Sequence, residues 1–196
     1  MKPFRLGLTG SIGMGKSTTA AFFADQGLPV WDADAAVHRL YAAGGAAIPV
    51  LAPHFPEAIT PAGIDRTALK SRIAADPAAL SLLESLIHPL VTADRDAFLT
   101  AATADIVIFD IPLLFEKGTQ DQMHATLLVT APAALQRARV LARPGMTDAQ
   151  FRILLARQMP DAQKRALATH IVETLALDAT RAYVASLIAH IRAGNA

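Results

Sequence analysis

The run Gly10-Ser11-Ile12-Gly13-Met14-Gly15-Lys16-Ser17 constrains this chain more than any other stretch. It follows Phe4–Thr9, a short apolar segment that reads as a buried strand. It precedes Lys16–Ala24, which reads as a helix stopped at Gly27. The spacing is G-x-x-x-x-G-K-[ST]. Glycines at these places let the backbone wrap so that successive N–H groups point at one anion. Lys16 sets a compact positive charge near the outer phosphates of a nucleotide, the Ser17 hydroxyl suits Mg²⁺, and the following helix offers its positive end. The pattern predicts an ATP-binding loop formed by Gly10, Ser11, Ile12, Gly13, Met14, Gly15, Lys16, Ser17 and Thr18. A purely structural glycine-rich turn would not require a strand before it and a helix after it.

Other short apolar runs extend the pattern. Leu28–Trp31 reads as a second strand ending at Asp32-Ala33-Asp34, with a helix through Leu40. Ile106–Phe109 with Asp110 at its end, Thr126–Thr130 and His170–Glu173 read as strands; Pro132–Ala142 and Asp178–Arg192 read as helices. Short apolar strands alternating with helices predict a parallel sheet covered on both faces, a three-layer α/β/α P-loop NTPase fold. From Tyr41 to Thr103 the pattern is mainly helical. Leu69–Ala74 and Ala78–Ile87 read as amphipathic helices, and Pro89 is expected to start another, because His88 before it is pushed toward an extended conformation. That stretch reads as an insertion between the second and third strands. With 196 residues and 53% hydrophobic content, one packed domain with inserted parts is expected.

Composition removes several function classes. A net charge of +1 lacks the basic excess of a nucleic-acid binder. The absence of cysteine excludes disulfides, thiolate metal sites and a cysteine nucleophile. The six histidines lack metal-ligand spacing. No run of about 18 apolar residues predicts a membrane span, and Gly7, Thr9, Gly10 and Ser11 interrupt any signal-like segment, so a cytoplasmic enzyme without membrane partners is expected.

Three further features carry chemistry, each with a blander alternative. Asp32 and Asp34 follow a strand at the edge where open parallel sheets bind ligands, and in a strand-like conformation they would face one side. They suit Mg²⁺ binding or orientation of an acceptor hydroxyl; the alternative is a helix N-cap plus a solvated charge. Asp110 ends an apolar strand, as the metal-contacting aspartate of a Walker-B segment does; the alternative is a turn residue. Arg137, Arg139, Arg143, Arg152, Arg157, Lys164 and Arg165 make a basic stretch broken at Arg143-Pro144-Gly145. It reads as a phosphate-clamping lid or as a solvated helix face.

On these residues the chain resembles the dephospho-CoA kinase family. Leu8–Thr18 is close to that family's L-T-G-G-I-G-S-G-K-S-T, Val30–Asp34 matches V-x-D-A-D, and His88-Pro89-Leu90 matches H-P-L. Asp110–Glu116 matches D-x-P-L-L-x-E, Gln136, Arg139 and Arg143 match Q-x-x-R-x-x-x-R, and Gln158 matches a later glutamine. The resemblance implies phosphorylation by ATP, with Mg²⁺, of the ribose 3′-hydroxyl of dephospho-CoA, the last step of coenzyme A synthesis. It implies Asp34 as base, Lys16 with Arg139 or Arg143 stabilising the transferred phosphoryl, and Ser17 and Asp32 as the magnesium side, which Asp110 joins on its Walker-B reading. His88, Pro112, Leu113, Glu116 and Asp32 fall on the acceptor side. The implied organisation is a core of residues 1–40, 104–136 and 166–196, a CoA-binding insertion 41–103 and a lid 137–165. Two places depart: residues 168–174 lack the family's Asp and Asn, with Thr174 where the Asn stands, and Pro144 follows Arg143 where an aspartate is frequent. The remaining readings are another small-molecule P-loop kinase (for a nucleoside monophosphate, shikimate or gluconate), a P-loop switch, and an inactive nucleotide-binding regulator. Asp32-Ala33-Asp34 and Pro112–Glu116 argue against the first, and the lack of N-K-x-D against the second.

Overall fold

A computed structural model describes residues 2–194. In chain order the elements are β1 (Phe4–Thr9), α1 (Lys16–Asp25), β2 (Val30–Asp32), α2 (Ala33–Tyr41), α3 (Ala47–Leu51), β3 (Ile59–Thr60), β4 (Gly63–Ile64), α4 (Arg66–Ala75) and α5 (Ala78–Ala101). They continue with β5 (Ile106–Asp110), β6 (Ala125–Thr130), α6 (Ala133–Leu141), α7 (Asp148–Ala156), α8 (Asp161–Leu167), β7 (His170–Glu173) and α9 (Leu177–Gly194). The chain forms two compact units, one from residues 1–31 and 102–196 and the other Asp32–Ala101.

The first unit is built on a five-stranded sheet in the order β2-β5-β1-β6-β7. The pairs β1–β5, β1–β6 and β6–β7 are all parallel. Every residue of β5 and β6 is buried, as expected for strands covered on both faces. Leu6, Leu8, Ile108 and Leu127 pack there with Phe23 of α1 and Val184 and Ile188 of α9. Truncating one such leucine to alanine costs about 2–5 kcal/mol. Because the strands run in parallel, their carboxyl ends lie at one edge, so the chain leaves at Thr9, Asp110, Thr130 and Glu173 on the same side.

The second unit has its own core around Leu40, Leu51, Phe55, Leu69, Leu83 and Ile87. Helix α2 therefore begins this unit, whose limits are residues 32–101. One expectation is corrected by this unit. Pro89 does not open a new helix: Ala78–Ala101 is one helix with Pro89 inside it. Pro89 has no N–H for the carbonyl of Ser85, a loss of about 3 kcal/mol in a helix interior. Burial of Leu83 and Ile87 before it and packing of Leu90 and Val91 after it hold both halves on one core. The stretch is otherwise mainly helical, as expected, apart from one short hairpin. Ile59↔Ile64 and Thr60↔Gly63 pair as an antiparallel hairpin whose Gly63 has φ +117.

Candidate active site

The loop between β1 and α1 is shaped by two glycines that no other residue could replace without strain. Gly13 and Gly15 have φ of 78 and 90. A Cβ on Gly13 would lie 2.5 Å from Val140 Cγ2 and 3.0 Å from the Gln136 carbonyl; one on Gly15 would lie 3.0 Å from Thr174 Oγ1. The loop is gripped from outside by side chains far away in sequence. Gln136 donates through Nε2 to the Ile12 carbonyl at 2.8 Å, and Gln158 accepts the Ile12 N–H at 3.0 Å. The Thr174 hydroxyl donates to the Met14 carbonyl at 2.8 Å. In a trans peptide the C=O and the next N–H point opposite ways. Holding the carbonyls of Ile12 and Met14 outward therefore turns the N–H groups of Gly13 and Gly15 away from Gln136 and Thr174. Helix α1 starts at Lys16 with Gly15 as N-cap, no side-chain cap and no acidic residue in its first turn, so its N-terminal N–H groups are free to meet an anion.

Lys16 sits at the start of α1, and its ammonium makes an ion pair with Asp110. Leu8 and Asp110 are register partners, so the strand pairing itself brings the loop's lysine and the end of β5 together. Asp110 is only 2% exposed. After β5, the chain is tied back to β1: Ile111 N–H donates to the Leu8 carbonyl at 3.0 Å and the Thr9 hydroxyl to the Pro112 carbonyl at 3.1 Å. Pro112 and Leu113 are half-buried in this segment. At its end, Glu116 Oε1 accepts the Met159 N–H at 2.9 Å and lies 2.8 Å from the ammonium of Lys164, a lysine with no exposed surface. Burial pushes the Glu116 carboxyl up, but the Lys164 ammonium and the Met159 N–H outweigh it and hold the group below its ordinary value.

Arg139 lies on α6 and is aimed at the loop from the far side of Thr174. It donates to Thr174 Oγ1 at 2.9 Å and to the Thr174 carbonyl at 2.5 Å. A cavity of about 270 Å³ opens beside the loop, lined by Gly13, Gly15, Arg139, Arg143, Thr174 and Leu177 among others. Arg143 is exposed and follows the end of α6.

Curated relatives match this chain throughout. A family model described as dephospho-CoA kinase (CoaE) matches residues 4–177. The dephospho-CoA kinase of Cereibacter sphaeroides is 67% identical over 192 residues, covering 98% of each chain. The chain belongs to the dephospho-CoA kinase family. Among solved structures, TT1252 from Thermus thermophilus is 38% identical with a TM-score of 0.84, covering 96% of this chain and 98% of that one. The dephospho-CoA kinase of Campylobacter jejuni is 22% identical and shares the fold, with a TM-score of 0.66 over 98% of each chain.

Within this family's α/β P-loop kinase fold, the predicted residues divide between the two units. The loop residues Gly10–Thr18, Asp110, Pro112, Leu113, Glu116, Arg139 and Arg143 belong to the first. Asp32, Asp34 and His88 belong to the second. The strand-like arrangement expected for Asp32 and Asp34 is replaced by a helix start. Asp32 caps α2, its Oδ1 accepting the Ala35 N–H at 2.9 Å, and Asp34 stands exposed in the first turn. The capping bond accounts for this, since an aspartate after a strand satisfies an otherwise orphaned helix N–H. His88 is exposed on α5. Thr174, expected only as a missing adenine contact, is instead buried as the link between Arg139 and the loop. Sequence reading gave Gln136, Gln158 and Lys164 no such tasks. The available signal for Gln136 was a polar residue one turn before the apolar Val140 on α6, both of them buried.

The donor set suits Mg²⁺ in the way kinases use it. Among the described residues no cluster of three His, Asp or Glu could form a metal cage. The Ser17 hydroxyl and the Asp110 carboxylate are hard oxygen donors of the sort that leave most of the octahedron to water and phosphate. Asp32 has one carboxylate oxygen committed to its cap.

Proposed function

We propose that this protein transfers the γ-phosphate of ATP to the ribose 3′-hydroxyl of dephospho-CoA, giving coenzyme A and ADP. The observation that carries the reading is the loop itself: outward-held carbonyls at Ile12 and Met14, inward amides, and Lys16 placed by strand register beside Asp110. Phosphoryl transfer demands mainly positioning and charge stabilisation, which such a loop supplies. ATP enters with its phosphates on the amides of Gly13 and of Gly15–Thr18. Lys16 then turns from Asp110 toward the transferred group, exchanging one oxyanion for another.

Asp34, the exposed carboxylate in the first turn of α2, takes the proton of the attacking hydroxyl. Arg139 and Arg143 lie over the phosphates and neutralise the charge spread across the equatorial oxygens. Mg²⁺ would be held by Ser17 and Asp110, with Asp32 as the further carboxylate the family resemblance implies, and when bound it would neutralise the phosphates. Residues 137–165 act as a lid hinged at Arg143-Pro144-Gly145, and residues 41–103 with His88, Pro112 and Leu113 receive the acceptor. A cytoplasmic location accords with the absence, among the described residues, of a helix long and apolar enough to cross a membrane.

The test is coupled ADP release with dephospho-CoA, AMP and shikimate, each with and without Mg²⁺. Turnover is expected only with dephospho-CoA and Mg²⁺; turnover with AMP or shikimate instead would overturn the substrate. Asp34→Asn should lower kcat by roughly 10²–10⁴-fold with ATP affinity retained. Undiminished activity removes Asp34 from the base role.

A further inference from the structure

We infer that the buried pair Lys164–Glu116 positions the phosphate loop, acting through Gln158. The inference rests on the reading of Gly10–Thr18 as the nucleotide site. The pair is an unusual thing to keep for stability alone. Lys164 has no exposed surface and pairs with Glu116 Oε1 at 2.8 Å, while Glu116 Oε2 is buried without a hydrogen-bond partner. Replacing a buried ion pair by apolar residues of similar volume is often neutral or stabilising. A buried pair that is incompletely hydrogen-bonded therefore points to a role in geometry.

The geometry is a short relay. Glu116 Oε1 fixes the Met159 N–H at 2.9 Å. The preceding residue is Gln158, whose side chain accepts the Ile12 N–H at 3.0 Å. Lys164, on α8, holds the same Glu116 oxygen and so locks the segment between Gln158 and α8 against the end of the β5 loop. Gln136 completes the grip from the other side of Ile12. With Glu116 engaged in this way, its task is to place Gln158, and through it Ile12 and the adjoining Gly13 peptide. It is not primarily a contact for the acceptor.

The experiment measures calorimetric ATP affinity, KM for dephospho-CoA, kcat and Tm for the whole protein and for Gln158→Leu, Lys164→Met, Glu116→Gln and the doubles Q158L/K164M and Q158L/E116Q. Each single variant is expected to weaken ATP binding by roughly 3–10-fold, the range of one lost hydrogen bond, with KM for dephospho-CoA within about twofold. Each double should bind ATP no worse than Gln158→Leu, because the pair acts through Gln158. Multiplying losses in the doubles, or a rise in KM for dephospho-CoA in place of the ATP effect, overturns the inference. So does a change confined to Tm. Should Lys164→Met fail to fold, Glu116→Gln, which keeps an acceptor for Met159, carries the same cycle. Lys16→Ala separates the two levels: if it binds ATP like the parent, the loop reading itself fails. If it weakens ATP while Gln158→Leu does not, only the relay fails.

Discussion

Replacing Thr174 by valine tests how the loop is held. Valine preserves the shape that fits against Gly15 and removes only the hydroxyl. That hydroxyl donates to the Met14 carbonyl at 2.8 Å, the nearer of two carbonyls it reaches, and accepts from Arg139 at 2.9 Å. Thr174 is 7% exposed, so water cannot readily replace it, and the Met14 carbonyl is left without its donor. An unmade buried bond of this kind costs about 1–3 kcal/mol. For a chain of this size each kcal/mol moves Tm by about 2–4 °C, which sets the expected drop at roughly 2–12 °C. Arg139 keeps its bond to the Thr174 carbonyl, so the guanidinium stays and the loop peptide is what loosens. If 1–2 kcal/mol of that is reordering which ATP must supply, affinity falls roughly 5–30-fold. Calorimetric ATP titration and scanning calorimetry read both quantities. Thr174→Ser, which keeps the hydroxyl, should retain ATP affinity within about threefold. Parent-like ATP affinity and Tm in Thr174→Val would refute the idea that the outward carbonyl at Met14 shapes the anion site.

The other expectations are more direct. Lys16→Ala should lower kcat about 10²–10³-fold in steady-state assays, and Lys16→Arg should not restore it, because an ammonium is a compact point charge and a guanidinium a planar fork. Glu116 titrates below its ordinary value in the folded state, so its contribution to stability is present above the unfolded value near 4.5 and is lost as pH falls through the folded value. Urea midpoints measured from pH 6 down to 3 should therefore fall less steeply for Glu116→Gln than for the parent; identical slopes would contradict the assignment. Pro89→Ala should raise Tm, since an N–H is restored inside α5 at an exposed position, by roughly 1–3 kcal/mol of added stability. A lower Tm would mean that packing on this core requires the proline ring.

The parts that sequence made plain are those governed by neighbours along the chain. The bounds of β1 and β7 coincide with the apolar runs Phe4–Thr9 and His170–Glu173, and Lys16 begins α1 where the glycine motif ends. The hairpin at 59–64 escaped because each strand has two residues, too short for a period to show. Pro89 misled because a local rule about the residue before proline was overridden by an apolar stripe running through both halves of α5. The strand-like arrangement at Asp32 failed for the opposite reason: a strictly local bond, the cap to Ala35, decided it. What sequence did not assign was the grip on Ile12, although Gln136 and Gln158 stood out as motif matches. Gln136 and Gln158 reach it across 124 and 146 residues, and a glutamine carries no local sign of a partner that far away.

Why the grip must come from so far follows from the glycines. Fixing a residue's backbone costs about 1–2 kcal/mol in conformational entropy, and glycine has the most to lose. Gly13 and Gly15 together thus oppose order by about 2–4 kcal/mol, and with positive φ neither can be stabilised by a side chain of its own. The loop's own hydrogen bond from Met14 N–H to the Ser11 carbonyl is too little to offset this. Three outside bonds, from Gln136, Gln158 and Thr174, each contribute about 0.5–1.5 kcal/mol and bring the total to the same size. They attach mainly to carbonyls, and the one N–H they occupy is that of Ile12, outside the Gly13–Thr18 amides. A loop held from outside mainly by its carbonyls keeps the amides of Gly13 and of Gly15–Thr18 for the ligand, so a glycine-rich sequence binds phosphate well only where distant elements present donors to its outer surface.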